Sequence, residues 1–184
     1  DLHDMPKQLY EGKISKLREK TQGQLVIKEY PTASAHSGHF KSLMNELALK
    51  KSFRPDVIFI DYLNICASSR FKGGNISSYF YVKAIAEELR GLAVEFNVPI
   101  FSATQTTRTG FVSSDIGLED TSESFGLPAT ADFMFALISN EELEALGQMK
   151  VKQLKNRYND PSINRAFIIG VDRSKMRLYD VQQK

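Results

Sequence analysis

The stretch Val57-Ile58-Phe59-Ile60-Asp61-Tyr62-Leu63 sets the fold class. Its first four residues are all apolar and rich in β-branched side chains, which reads as a strand covered on both faces, the habit of a parallel sheet. Arg54-Pro55-Asp56 supplies the loop that enters it. Asp61 then falls at the carboxyl end of the strand, on the edge where open α/β sheets bind ligands. A carboxylate there can hold Mg²⁺ through water beside the phosphates of a nucleotide. It can also simply end the strand or cap the next element.

Working outward, helix and strand patterns alternate. Upstream, Asp4 could cap a helix from about Pro6 to Lys20 with Leu9, Ile14 and Leu17 turned inward, and Gln24-Leu25-Val26-Ile27 reads as a short strand. A helix opening at Ser37 places Phe40, Leu43, Met44 and Leu47 on one face. Downstream, residues 66–77 read as a polar loop. The strongest helix follows over 78–96, where Val82, Ile85, Ala86, Leu89, Leu92, Ala93 and Phe96 keep a helical rhythm and Asn97 ends it. Strands are expected at 98–103 and 132–138, with a short helix at 140–147. The long Thr-, Ser- and Gly-rich segment 105–122 lies between those strands, and a loop of that length is usually functional. From Met149 the pattern becomes strands at about 149–157, 165–171 and 175–181, joined by turns at Asn159-Asp160-Pro161 and Asp172-Arg173-Ser174. The fold class is therefore α/β, a mostly parallel sheet flanked by helices that gives way to antiparallel hairpins at the C-terminal end. Residues 1–184 read as one domain with no internal linker.

Composition narrows the function classes. With 42% hydrophobic and 25% charged residues the chain is an ordinary globular one, and a net charge of +2 leaves any nucleic-acid contact to local basic patches. One cysteine, Cys66, excludes a disulfide framework and a cysteine-based zinc site, and reads as a small buried hydrophobe. His3, His36 and His39 have no metal-ligand spacing. The single cysteine fits a reducing cytoplasm, no stretch reaches membrane-spanning length, and the first residues lack the basic and apolar regions of a signal peptide. Glu11-Gly12-Lys13-Ile14-Ser15 only imitates a phosphate loop: G-x-x-x-x-G-K-[ST] requires Ser or Thr directly after the Lys and an earlier Gly, and no stretch of the chain satisfies it.

Besides Asp61, two strand ends carry chemistry. Thr104-Gln105 lies just past strand 98–103, with Arg108 beyond it, and an amide at a strand tip can bond a γ-phosphate or its attacking water and pass the loss of that phosphate to the loop behind. Lys155 and Arg157, at i and i+2 on one strand, present two cations on the same side, as a phosphate clamp or arginine finger would. A loop glutamine and a solvated basic strand edge are the plainer alternatives.

The ordered set resembles the carboxyl-terminal RecA-like domain of DnaB-type hexameric replicative helicases, within that family most of all those of T4-like phages. It is carried by Asp56-Val57-Ile58-Phe59-Ile60-Asp61-Tyr62-Leu63, Val82-Lys83-Ala84-Ile85-Ala86-Glu87-Glu88-Leu89-Arg90 and Thr104-Gln105. Glu123-Ser124-Phe125-Gly126-Leu127-Pro128-Ala129-Thr130-Ala131-Asp132 and Lys155-Asn156-Arg157-Tyr158 complete it. The resemblance implies a helicase motor that hydrolyses ATP or another NTP with Mg²⁺ between subunits of a ring homo-oligomer, a hexamer, and pulls single-stranded DNA through its centre. Asp61 would be the Walker B acid, holding Mg²⁺ through water, and Gln105 the γ-phosphate sensor and hinge of a mobile DNA loop. Lys155 and Arg157 would reach the neighbour's nucleotide. Channel loops would fall at about 66–77 and 106–120, with Arg70, Lys72 and Arg108 as DNA contacts. Primase and a helicase loader are the partners implied, and the host-cell cytoplasm the location. The family's Walker A motif and catalytic Glu find no match and are expected upstream of Asp1, so the isolated chain is predicted to be inactive. The rival readings are a non-catalytic RecA-like assembly or DNA-binding module, and another RecA-fold ATPase such as a recombinase.

Overall fold

The structure is a computed structural model that describes residues 4–71, 76–106, 117–118, 126–160 and 162–183. It divides into two compact units, Asp1–Tyr30 and Pro31–Lys184.

In the first unit, helix α1 (Lys7–Lys20) starts after Pro6, whose fixed φ of -54° suits a helix entrance, and no side chain caps it. The expected inward face is not found: Leu9 and Leu17 are 53% and 61% exposed, and no residue of α1 is buried. Residues 24–27 form no strand, and Leu25 and Ile27 stand exposed. A short apolar run becomes a strand only when a neighbour takes up its backbone groups, and no described residue pairs with this one.

The second unit holds the core. Helix α2 (Ser37–Lys51) opens on a histidine box: Gly38 N–H donates to His36 Nδ1 at 3.0 Å, and His36 N–H donates to His39 Nδ1 at 3.2 Å. Both histidines are thus helix-start residues, and α2 buries Met44 and Leu47. Strand β1 (Ile58–Ile60) leads through a 3₁₀ turn (Leu63–Ile65) to the loop before α3 (Ser78–Phe96). The α3 stripe Val82, Ile85, Ala86 and Leu89 packs with Leu63, Cys66 and Leu127, and Ile85 is only 1% exposed. Asn97 closes α3 in the left-handed region (φ 51°), which asparagine tolerates better than most residues. Strand β2 (Ile100–Ser102) follows, then α4 (Gly126–Thr130), β3 (Phe133–Ile138), α5 (Glu141–Ala145), β4 (Gln148–Asn156), β5 (Ala166–Asp172) and β6 (Arg177–Asp180).

Among the described residues, β1 and β2 pair in parallel, and β3-β4-β5-β6 form an antiparallel sheet in that order. The α/β expectation holds, but antiparallel pairing begins one strand earlier than the pattern suggested. The short passage through α5 returns the chain alongside β3, and a parallel neighbour would need a longer crossover. Burial on both faces is also not found. Ile58 and Ile60 turn inward while Phe59 is 73% exposed and stacks on Phe101 with ring centroids 5.3 Å apart. In β3, Ala136 and Ile138 are buried while Phe133, Phe135 and Leu137 face outward. A continuous apolar run says that both faces are greasy; only packing says which are covered.

Glu88 ties this unit together. Its carboxylate accepts from Ser37 Oγ (2.8 Å), Ser68 Oγ (2.6 Å), Ser69 Oγ (2.7 Å) and Ser69 N–H (2.9 Å), joining α2, α3 and the loop after the 3₁₀ turn. Partial burial pushes its pKa up, but the bonds from Ser68, Ser69 and Ser37 together outweigh it and hold the group at about 2. A depressed folded-state pKa gives stability that is present above the unfolded value of 4.5 and lost as the pH falls toward 2. Acid titration of the unfolding midpoint should therefore show a steeper loss across that window in the wild type than in Glu88→Gln. Equal slopes would mean that the carboxylate is not so held.

Candidate functional site

The parallel register sets Ile58 opposite Ile100 and Ile60 opposite Ser102, so β1 and β2 leave the sheet on the same edge. Three bonds knit the segments beyond them. Ser102 Oγ donates to the Ile60 carbonyl (2.8 Å), Leu63 N–H to the Ala103 carbonyl (3.2 Å), and Thr104 Oγ1 to Asn64 Oδ1 (2.8 Å). Gln105 Nε2 donates to the Tyr62 hydroxyl at 3.3 Å. Asp61, next to Tyr62 across a cis peptide bond, is exposed, and its carboxylate makes no hydrogen bond or ion pair with another described residue. Asp61 and Gln105 thus share one polar edge, joined through Tyr62.

Among the described residues no group of three or more His, Cys, Asp and Glu side chains could enclose a metal ion. A lone exposed carboxylate fits Mg²⁺ in the manner that ion prefers, keeping its waters and taking further oxygens from phosphates. It does not fit a closed protein cage.

Lys155 and Arg157 lie at the end of β4 and just past it. Strand alternation expects them on one side, and there they are: Lys155 Nζ donates to the Pro128 and Ala129 carbonyls, and Arg157 Nη2 to the Ala129 carbonyl at 3.3 Å. Arg157 Nη1 also pairs with Asp132 Oδ1 at 3.0 Å. Burial, and then the charge of Arg157, lower the Lys155 pKa. β4 lies between β3 and β5, but its register with β5 covers only Gln148–Lys152, so at Lys155 and Arg157 the strand is paired with β3 alone and a basic strand edge stays the plain alternative.

Of the basic loop residues, Arg70 is described. Its guanidinium pairs with Glu87, and its backbone N–H donates to Ser68 Oγ at 3.2 Å. Lys72 and Arg108 lie outside the described residues, as does most of segment 106–120, including the loop expected to hinge at Gln105. Sequence reasoning gave no role to Tyr62, Glu88, Arg90 or Asp132. Glu88 left a faint signal, an acid directly beside the buried stripe position Leu89. Asp132 left only its place at the start of a strand.

The chain shares its fold with solved ATPase domains. It superposes on a solved ATPase domain with a TM-score of 0.76 at 16% identity, covering 98% of this chain and 63% of that one. A DnaB-like replicative helicase, solved with its interactions with primase, gives 0.75 at 16% identity, covering 97% and 42%. In sequence, 175 residues are 47% identical to the DnaB-like replicative helicase of Enterobacteria phage T4, and over that span the chain is a homologue of the DnaB-like replicative helicases. The match takes in 95% of the chain and 37% of the phage protein's length. No family model matches.

The Asp61 carboxylate, which pairs with no described residue, separates the metal role from the strand-cap role. Asp61→Asn should leave the thermal unfolding midpoint nearly unchanged, a shift worth less than about 0.5 kcal/mol, as for a surface site without a special contact. A clear loss of stability, measured by calorimetry, would restore the capping role.

Proposed function

We propose that this chain is part of an NTP-driven replicative DNA helicase motor, a single partial RecA-like domain working in a ring, in a hexameric arrangement, on single-stranded DNA. The observation that carries the reading is the polar edge on which Asp61 and Gln105 meet through Tyr62, in a chain 47% identical to a replicative helicase. On this reading Asp61 would hold a Mg²⁺ through its waters at that edge, and the ion would supply charge neutralisation to phosphoryl transfer from ATP. Gln105, its amide N–H on Tyr62, offers its carbonyl oxygen to an attacking water and leads directly into the following loop. Lys155 and Arg157 act on the nucleotide of the adjoining subunit, where their charge stabilises the transition state. Arg70, Lys72 and Arg108 contact DNA phosphates. Primase and a loader are the partners this role calls for, and the cytoplasm of a bacterial host is its place. Among the described residues no helix is long and apolar enough to cross a membrane.

The decisive experiment is subunit mixing in the complete ring protein. Asp61→Asn and Arg157→Ala should each abolish DNA-stimulated ATPase activity, the second by about 10³-fold with nucleotide still bound. Rings that mix the two should recover part of the activity, because an interface between an intact Asp61 and an intact Arg157 can form. Mixed rings that stay dead, with mixing shown by mass, would overturn the trans assignment.

The 184 residues alone contain no phosphate loop to supply a cradle of N–H groups. Purified by itself, the chain should show no DNA-stimulated ATP turnover. A rate on the order of 1 s⁻¹ or more would contradict this.

A further inference from the structure

Arg157 is held at two levels by one residue. Its backbone N–H donates to the Asp132 carbonyl at 3.0 Å, and its Nη1 pairs with Asp132 Oδ1 at 3.0 Å. The same Oδ1 accepts from Arg90 Nη1 at 2.9 Å, and that nitrogen also donates to the Thr130 carbonyl at 2.7 Å. Lys155 stands on the Pro128 and Ala129 carbonyls beside them. Three cations from three places, α3, β4 and the residue after β4, therefore gather at the carboxyl end of α4 around one carboxylate.

The arrangement has an electrostatic logic. Arg90, Lys155 and Arg157 repel one another, and burial together with Arg157 already depresses the Lys155 pKa. Asp132 is the only carboxylate paired with this group among the described residues. It neutralises part of the charge and leaves an excess that suits an anion. It also fixes direction: with Nη1 on Asp132 and Nη2 on Ala129, the guanidinium plane is set, and its remaining N–H groups meet no described residue, which suits a phosphate oxygen. Arg90 in turn holds Asp132 against α3, so the aim of Arg157 is referred to the core helix and not to a flexible side chain.

We propose that Asp132 is a positioning residue for Arg157, aiming it at the neighbouring subunit's nucleotide, and that Arg90 secures Asp132 in that task. The inference rests on the trans role given to Arg157 above. Charge without aim contributes little to a transition state, and a displacement on the order of 1 Å can cost roughly 10²-fold in rate.

The test is a double-mutant cycle in the complete ring protein, with kcat, KM and nucleotide affinity measured for Asp132→Asn, Arg157→Ala and the pair. Asp132→Asn should lower kcat by about tenfold or more, short of the full loss in Arg157→Ala. KM and nucleotide affinity should hold. The double variant should be no worse than Arg157→Ala alone, because Asp132 acts only through Arg157. Arg90→Gln, which leaves the Asp132–Arg157 pair in place, should give a smaller loss of kcat that also vanishes in the Arg157→Ala background. It keeps the test open should Asp132→Asn fail to fold. Losses that multiply with that of Arg157→Ala, or a wild-type kcat in both Asp132→Asn and Arg90→Gln while Arg157→Ala is dead, would overturn the inference. A wild-type kcat in Arg157→Ala would overturn the trans role itself, which is a distinct result.

Discussion

The burial of one stripe of α3, with Ile85 at its centre, is the contact from which the functional groups take their positions. Val82, Ile85, Ala86 and Leu89 share one buried cluster with Leu63, Cys66 and Leu127. Fully burying an aliphatic side chain of this size is worth about 1.5–3 kcal/mol, so the stripe can order the short elements around it. Those elements have little internal strength: β1 and β2 have three residues each, and α4 has five. None would persist alone. The polar faces of α3 then do the finer work. Glu88 takes the loop that follows the 3₁₀ turn, and Arg90 takes the end of α4 and Asp132. Two residues along a helix point roughly 200° apart, so the core helix serves one polar cluster on each flank.

What could be read from sequence tracks how local the signal was. The α3 bounds, residues 78–96, agree with the reading because the periodicity, the apolar stripe and the closing Asn97 all act within the helix. The facing of Lys155 and Arg157 was legible for the same reason, since alternation along a strand needs no partner. Burial is a property of neighbours, and there the reading failed. Phe59 and the outward residues of β3 are as apolar as their inward counterparts, and no pattern in a run such as Phe133-Met134-Phe135-Ala136-Leu137-Ile138 tells which set is covered. Leu25 and Ile27 failed likewise, a strand pattern without a pairing strand. Glu88, Arg90 and Asp132 were hidden because their meaning lies in contacts across 19 to 51 residues of chain, as with Ser69 and Ser37 on Glu88 and Arg90 on Asp132.

The two candidate centres are wired in opposite ways. At the strand-end edge the Asp61 carboxylate pairs with no described residue, and the Gln105 amide meets the Tyr62 hydroxyl through one neutral hydrogen bond. Such a bond is worth about 0.5–1.5 kcal/mol and is readily exchanged for one to a ligand. At the end of α4 every cation is already engaged by a carbonyl or a carboxylate. On the proposed function, an edge that accepts and releases a ligand would gain from weak internal bonding, whereas a group acting on a separate molecule would gain from being held in place beforehand.

The aromatic face formed by Phe59 and Phe101 has a practical consequence for anyone handling the protein. Phe59 is 73% and Phe101 56% exposed, and elsewhere Phe133 and Phe135 are about half exposed. Adjacent rings in water are the kind of surface that brings molecules together. Salts excluded from protein surfaces, such as sulfate and phosphate, strengthen that attraction, while ordinary chloride at modest strength does so little. Colloidal behaviour of the chain is thus governed less by its small net charge of +2 than by which anion accompanies it in the buffer.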